Sequence, residues 1–370
     1  MEKLFAGISE SVKNMNRYKA GKSIGEVKRE YELDKIVKLA SNENPLGPAP
    51  EVIETIKSEA ANVYLYPDSD SRDLKELLSK HYNLPAERIF IGNGSDEILD
   101  LLMTLLLENG GQVIQGDPAF IKYELAVISR GGKSIKIPLD DNHRHQLDEM
   151  AAAVTDDVKV IFICNPNNPT GTMLSRKEIE DFLEKISDDI LVVVDQAYIE
   201  YVTSEDYFDG VELLAQYPNL FLMRTFSKAY GLAGMRIGYA LGNARLIDYL
   251  NRIRGPFNVN RMAQQAAVTA FEAVDHLKKC QEVNKTEKEY LYQEFSEMGL
   301  EYIETETNFM MVDTGLDAVE VFKELQQKGV IIRPGNQFGM ESWIRVTIGT
   351  HKENEFFLKN LKELLTERRN

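Results

Sequence analysis

The sequence predicts an α/β protein, with a large domain on a mostly parallel β-sheet covered by helices and a small α+β domain after it. Three observations lead there. Runs such as Ile161-Phe162-Ile163-Cys164 and Leu220-Phe221-Leu222-Met223 are strand-sized and apolar throughout, as strands buried on both faces are. Helical stretches alternate with such runs through the middle of the chain, the order that builds a parallel sheet with helices on its faces. Past residue 300 the pattern changes to short strands with two helices.

In order, residues 1 to about 35 are helical in composition but weakly patterned, and the turn-like glycine of YKAGKS interrupts them, so they read as an arm. A short strand over Ile36–Ala40 runs into SNENPLGPAP, a loop by its Asn, Pro and Gly content. Residues 51 to 61 form a helix, Tyr64 to Asp68 begin a loop, and Ser71 to His81 form an amphipathic helix. At Arg88 to Ile91 a strand gives way to GNGSDEILDLLMTLLL, where Ile98, Leu101, Leu102, Leu105 and Leu106 share one helical face. Gly94, Ser95 and Asp96 lie at that helix start with free backbone N–H groups, which suits an anion, although taken alone the pattern reads first as an ordinary capped helix.

The alternation continues with strands at Gln112–Gln115, Lys133–Leu139, Lys159–Cys164, Ile190–Asp195 and Leu220–Arg224, and helices at Lys122–Ser129, Leu147–Val154 and Arg176–Ile186. Ligands of such sheets sit at the carboxyl ends of the strands, and the loops there carry GNGSDE, DPAF, NPNNPTG, DQAY and TFSK. A helix over Leu246–Arg254 and the loop GPFN precede long helical segments over 260–298 that connect the domains. Strands at Tyr302–Ile303, Phe309–Val312, Val330–Arg333 and Trp343–Ile348, with helices at Ala318–Lys328 and Asn354–Glu367, make the small domain. The expected division is an arm with part of the small domain over 1–45, the large domain over 46–256, and the interdomain helix with the small C-terminal domain over 257–370.

A chain of 370 residues with 43% apolar content can bury a large core. No apolar run approaches a membrane span, and the N-terminus mixes charges of both signs without the apolar core of a secretory signal. Only Cys164 and Cys280 are present, which fits a reducing cytoplasm. With 59 acidic against 43 basic side chains the formal charge is -16, which argues against nucleic acid or an anionic membrane as main partner. Any anion site must therefore concentrate its cations locally.

The stretch RTFSKAYGLAGMRIGY does that, placing Thr225, Ser227, Lys228 and Arg236 just after an apolar strand. Hydroxyls, a lysine and an arginine at a strand end can hold a phosphate beside a reactive amine. The loop Asn142-His143-Arg144-His145 is read as a charged loop, because its two histidines have no further ligand cluster; no metal is expected.

Together, NPNNPTG (165–171), DQAY (195–198), SKAYGLAGMRIGY (227–239) and WIRVTIGT (343–350) resemble the fold-type I, pyridoxal-phosphate-dependent aminotransferases. KLASNENPLGP, YPD, GNGSDEI and the spacing of Arg333 from Arg345 are similar to the histidinol-phosphate aminotransferases among them. The resemblance spans nearly the whole chain. It implies pyridoxal 5'-phosphate as cofactor, held as a Schiff base by Lys228, which then serves as the base that moves the substrate proton. It implies Asp195 facing the ring nitrogen, Asn168 and Tyr198 donating to the phenolic oxygen, and Phe120 and Ala197 on the two faces of the ring. The phosphate falls to Ser95 and Asp96 backbone, Thr225, Ser227 and Arg236, with Tyr66 reaching the phosphate of a partner subunit in a homodimer.

Arg345 and Arg333 are the implied substrate anion clamp, and Tyr18, beside Asn16 in the arm, an implied substrate contact. A cis Asn168–Pro169 bond is also implied. The sequence departs from the family at Gln196, where Glu is usual; on an alternating strand that side chain points away from the cofactor. The activity implied is transfer of the amino group between L-histidinol phosphate and 2-oxoglutarate, giving imidazole acetol phosphate and glutamate in histidine biosynthesis. Two other enzymes fit the same core residues, an aromatic amino acid aminotransferase and a decarboxylase of a phosphorylated amino acid. A non-catalytic binding protein on this fold would lack the lysine or the aspartate, and both are present.

Overall fold

A computed structural model describes residues 5–13, 15, 21–108 and 110–369. Its large sheet has seven strands: β2 (Ile89–Gly92), β3 (Gln112–Asp117), β4 (Lys133–Pro138), β5 (Val158–Cys164), β6 (Leu191–Asp195), β7 (Leu220–Thr225) and β8 (Gly238–Leu241). They lie in the order β2-β8-β7-β6-β5-β3-β4. The pairs β3–β4, β3–β5, β5–β6 and β6–β7 are parallel, and β8 runs antiparallel to both β2 and β7. The α/β architecture is as the sequence predicts. Strand β8 was not expected; its opening glycine and the preceding turn residues mask a short apolar run.

Both faces of this sheet are covered. Val192, Val194, Leu220 and Leu222 pack into one core with helix Arg261–Glu272, which supplies Ala263, Ala266, Ala267 and Ala270. Leu191, Val193, Phe221 and Met223 pack into the other with helix Gly94–Leu106, through Ile98, Leu99, Leu102 and Met103. Burial on two sides is the physical reason these strands carry no polar alternation. Each large apolar side chain so buried contributes about 1.5–3 kcal/mol.

The small domain has a four-stranded antiparallel sheet in the order β12-β13-β10-β9, from β9 (Glu301–Ile303), β10 (Phe309–Asp313), β12 (Arg333–Pro334) and β13 (Trp343–Thr347). Beside it β1 (Val37–Lys38) pairs in parallel with β11 (Val330–Ile331). The strand expected over Val330–Arg333 is thus two, one for each sheet, with Ile332 between them. Helix Val274–Glu297 joins the cores: Leu277 packs against the large one, while Leu291 and Phe295 belong to the small one. In the arm, helices Glu10–Lys13 and Ile24–Tyr31 are present, the second opened by a Ser23–Glu26 capping box. Tyr18 and Asn16 lie outside the described residues.

Candidate active site

The carboxyl ends of β5, β6 and β7 open onto a cavity of about 360 Å³. On the other side it is lined by residues 40–42 and by Arg333, Gln337, Phe338 and Arg345 of the small domain. Ser95, Asp96, Phe120, Asn168, Asp195, Ala197, Tyr198, Thr225, Ser227, Lys228, Arg236, Arg333 and Arg345 all line it, so the expected residues converge on one space. Tyr66 does not line it. It is 79% exposed and stacks on Phe257 with ring centroids 4.6 Å apart.

At one end is a corner of donors. Helix Gly94–Leu106 starts there with the unpaired N–H groups of a first turn. Arg236 Nη2 donates to Asp96 Oδ2 at 3.2 Å and Nη1 approaches Ser227 Oγ at 3.5 Å, while Ser227 N donates to Thr225 Oγ1 at 3.1 Å. Two glycines make the corner tight. A Cβ on Gly94, whose φ is +74°, would meet Arg236 Nη2 at 2.6 Å, and one on Gly238 would come within 3.0 Å of Ser95 N. Glycine therefore lets strand, guanidinium and helix start close on each other.

Asp195 ends β6 at the cavity floor. Its Oδ2 accepts from Tyr123 OH at 2.7 Å and its Oδ1 from Ala197 N at 3.2 Å. Burial pushes its carboxyl up from 3.8 to about 6, against the pull of those two donors. Tyr123, fully buried and stacked on Phe162 at 4.5 Å, was missed in the sequence. The one available signal was its place a helical turn beyond Phe120 (120 and 123), which puts both on one face.

Lys228 is half-buried, with Nζ donating to Ser41 O at 3.1 Å and lying 5.7 Å from the centre of the Tyr198 ring. Burial, then the charges of Arg345 and Arg236, bring its amine down from 10.5 to about 8. Tyr198 OH accepts from Asn42 Nδ2 at 3.0 Å and Asn168 Nδ2 at 3.3 Å.

On the small-domain side Arg333 and Arg345 are a cross-strand pair of β12 and β13. Arg345 Nη1 donates to Asn168 Oδ1 and Nη2 to Ala40 O at 3.1 Å, and its guanidinium sits 5.1 Å from the centre of the Phe309 ring and 5.6 Å from that of Phe338. Phe338, Gln337, Lys38, Asn42 and Cys164 also line the cavity and were not anticipated as site residues. The aim of Asn168 was expected to follow from a cis Asn168–Pro169 bond. It is set by its bonds to Arg345 and Tyr198, and among the described residues the cis bonds are Asp117–Pro118 and Asn165–Pro166, not Asn168–Pro169.

Such a site offers an amine near neutrality, a buried carboxylate, an anion corner and a two-arginine clamp, all in a chain whose net charge is -16. The family described as "Aminotransferase class I and II" matches residues 34–361. The chain belongs to the class I and II aminotransferases. Its match to the histidinol-phosphate aminotransferase of Caldicellulosiruptor saccharolyticus is 46% identical and covers 96% of this chain and 99% of that protein. That of Moorella thermoacetica is 44% identical over 96% of this chain and 92% of that protein. Among solved structures, histidinol-phosphate aminotransferase from Sinorhizobium meliloti in complex with pyridoxal-5'-phosphate superposes with a TM-score of 0.90, at 28% identity over 98% of each chain. Among the described residues no helix is long and apolar enough to cross a membrane.

Proposed function

We propose that this aminotransferase uses pyridoxal 5'-phosphate to exchange the amino group between L-histidinol phosphate and 2-oxoglutarate, yielding imidazole acetol phosphate and glutamate in the histidine pathway of the cytoplasm. The observation that carries this reading is the convergence of Lys228, Asp195 and the Arg333–Arg345 pair on one cavity. The cofactor fits the donor set. Its phosphate suits the glycine-lined corner of Ser95, Thr225, Ser227 and Arg236, where a Cβ at Gly94 would displace the guanidinium.

When bound, the cofactor supplies an aldehyde that accepts the amino group and a ring that draws off electrons from the substrate α-carbon. Asp195 would keep a proton on the ring nitrogen, a cation that in turn favours the ionised carboxylate. Asn168 and Tyr198 would donate to the phenolic oxygen, and Phe120 and Ala197 would hold the ring between them. Lys228 Nζ would be the point of attachment and, once released as a neutral amine, would carry the proton lifted from the α-carbon. An amine titrating near 8 is suited to both tasks.

Arg345 would clamp the substrate anion, with Arg333 sharing the second charge of a phosphate. Tyr66, with Val63 at 62% and Tyr64 at 78% exposure beside it, fits a surface covered by a second copy, in which Tyr66 would reach the partner's cofactor phosphate. Turnover of L-histidinol phosphate and of L-phenylalanine at equal concentration tests the substrate. The expected preference for the phosphate ester is at least about tenfold, and a preference for phenylalanine overturns it.

A further inference from the structure

One cation of the cavity has no part in the reading above. Lys38 lines the cavity with Arg333 and Arg345. It sits on β1 opposite Ile331, two residues before Arg333. Two residues past Lys38, the Ala40 carbonyl accepts from Arg345 Nη2 at 3.1 Å, and Arg345 is the cross-strand partner of Arg333. Neighbouring strand segments thus bring three cations to one wall. Lys38 differs from the arginines in how it is held. Its Nζ donates to Glu43 Oε1 at 2.7 Å, and the two side chains are 22% and 44% exposed.

We propose that Lys38 is a specificity-determining residue for a doubly charged anion. It stays on Glu43 when the group on the arginines is a carboxylate, and turns to the substrate when that group is a phosphate monoester. This deepens, and rests on, the substrate pair proposed above. A carboxylate carries one charge and is saturated by one guanidinium fork, whereas a phosphate monoester carries about -1.5 to -2 at neutral pH and keeps further acceptor oxygens. Partly exposed ion pairs are weak. A dianion can therefore draw the ammonium from Glu43, while the pull of a monoanion is matched by Glu43 itself. A flexible four-carbon stem with three rotatable donors suits a charge that must move, where a fixed fork would not.

The test uses the holoenzyme in single turnovers with L-histidinol phosphate and with L-glutamate, followed by the change in cofactor absorbance, and inorganic phosphate as competitor in the glutamate reaction. Lys38→Gln is expected to lower the ratio of the two specificity constants about tenfold, through substrate affinity, and to weaken inhibition by phosphate by a similar factor. Lys38→Arg, which returns the charge on a fixed fork, is expected to restore inhibition by phosphate in part and little of the ratio. If histidinol phosphate turns over normally and neither quantity moves by more than about twofold in Lys38→Gln, the assignment of Lys38 falls alone. If the unmodified enzyme fails to prefer histidinol phosphate while phosphate inhibition still depends on Lys38, the substrate reading falls and the Lys38 anion site stands.

Discussion

On the large-sheet side of the cavity, Asp195 and Thr225 end parallel strands and Asn168 follows one within a few residues, so chain order alone delivers them to one edge. On the small-domain side, Arg333 and Arg345 meet only through the register of an antiparallel pair. That wall also depends on residues far apart in sequence, for Asn42 N donates to the Thr347 hydroxyl across 305 residues. The first side is fixed by topology and the second by docking. The chemistry of the amine and the carboxylate should therefore be sensitive to single atoms, and substrate selection to how the small domain sits.

The largest effect is expected at Lys228. Lys228→Ala should lower turnover by on the order of 10^4-fold or more, and borohydride should no longer fix cofactor mass to the chain. Retention of more than about a tenth of the activity would remove the amine from the mechanism and leave the large-sheet side a binding surface.

Arg345 comes next and tests whether the two sides act separately. Arg345→Gln should cost about a hundredfold in kcat/KM for both amino donors, as loss of a buried charge partner does. Because Arg345 also bonds Asn168 and Ala40, Arg345→Lys, which keeps the charge and loses the fork, should recover little. Full recovery by lysine would mean that charge alone matters and that the docking geometry does not.

Tyr123→Phe sharpens the large-sheet side. The phenol holds Asp195 Oδ2, so its removal should weaken cofactor binding about tenfold while leaving the fold intact. The pH dependence gives an independent reading. In the cofactor-free protein the carboxyl titrates at about 6 instead of 3.8, so its contribution to stability is full below pH about 4 and is lost as pH rises through 6. Without Tyr123 that loss should extend to higher pH, seen as a thermal midpoint that goes on falling above pH 6. An unchanged profile would show that the phenol does not act on Asp195.

The same contrast explains what could be read from the sequence. The parallel sheet was legible because burial on both faces leaves uninterrupted apolar runs, and Lys228, Asp195 and Arg236 because their motifs follow strand ends. Tyr123, Asn42 and Phe338 were not, since nothing local distinguishes a buried tyrosine or a loop asparagine until the chain brings a carboxylate or a phenol to it. Strand β8 was hidden for a related reason. It is four residues long and starts with the glycine that lets Ser95 approach, so the need for space at the site overrode the strand signal.

The smallest effect on activity is expected at Gln196, where the resembling enzymes carry Glu. Gln196 is fully buried between Asp195 and Ala197 but faces away from the cavity, with Nε2 donating to Phe208 O at 2.7 Å and Asp209 O at 2.9 Å. Its Oε1 accepts from Arg224 Nε at 3.0 Å, and Arg224 also pairs with Asp209 at 2.8 Å. Gln196→Glu keeps the acceptor for Arg224 and gains a charge opposite it, but takes away both donors and sets a carboxylate against two carbonyls. Losing those donors outweighs the gain, because Arg224 already has a carboxylate partner; the net cost should be about 1 kcal/mol. It should shrink in acid, where a protonated Glu can donate one of the two bonds again. Turnover should stay within about twofold of the unmodified enzyme, measured beside denaturant midpoints at two pH values. A tenfold loss of turnover with an unchanged midpoint would tie the layer of Arg224 to the chemistry and erase the boundary between the reactive strand ends and the core beneath them.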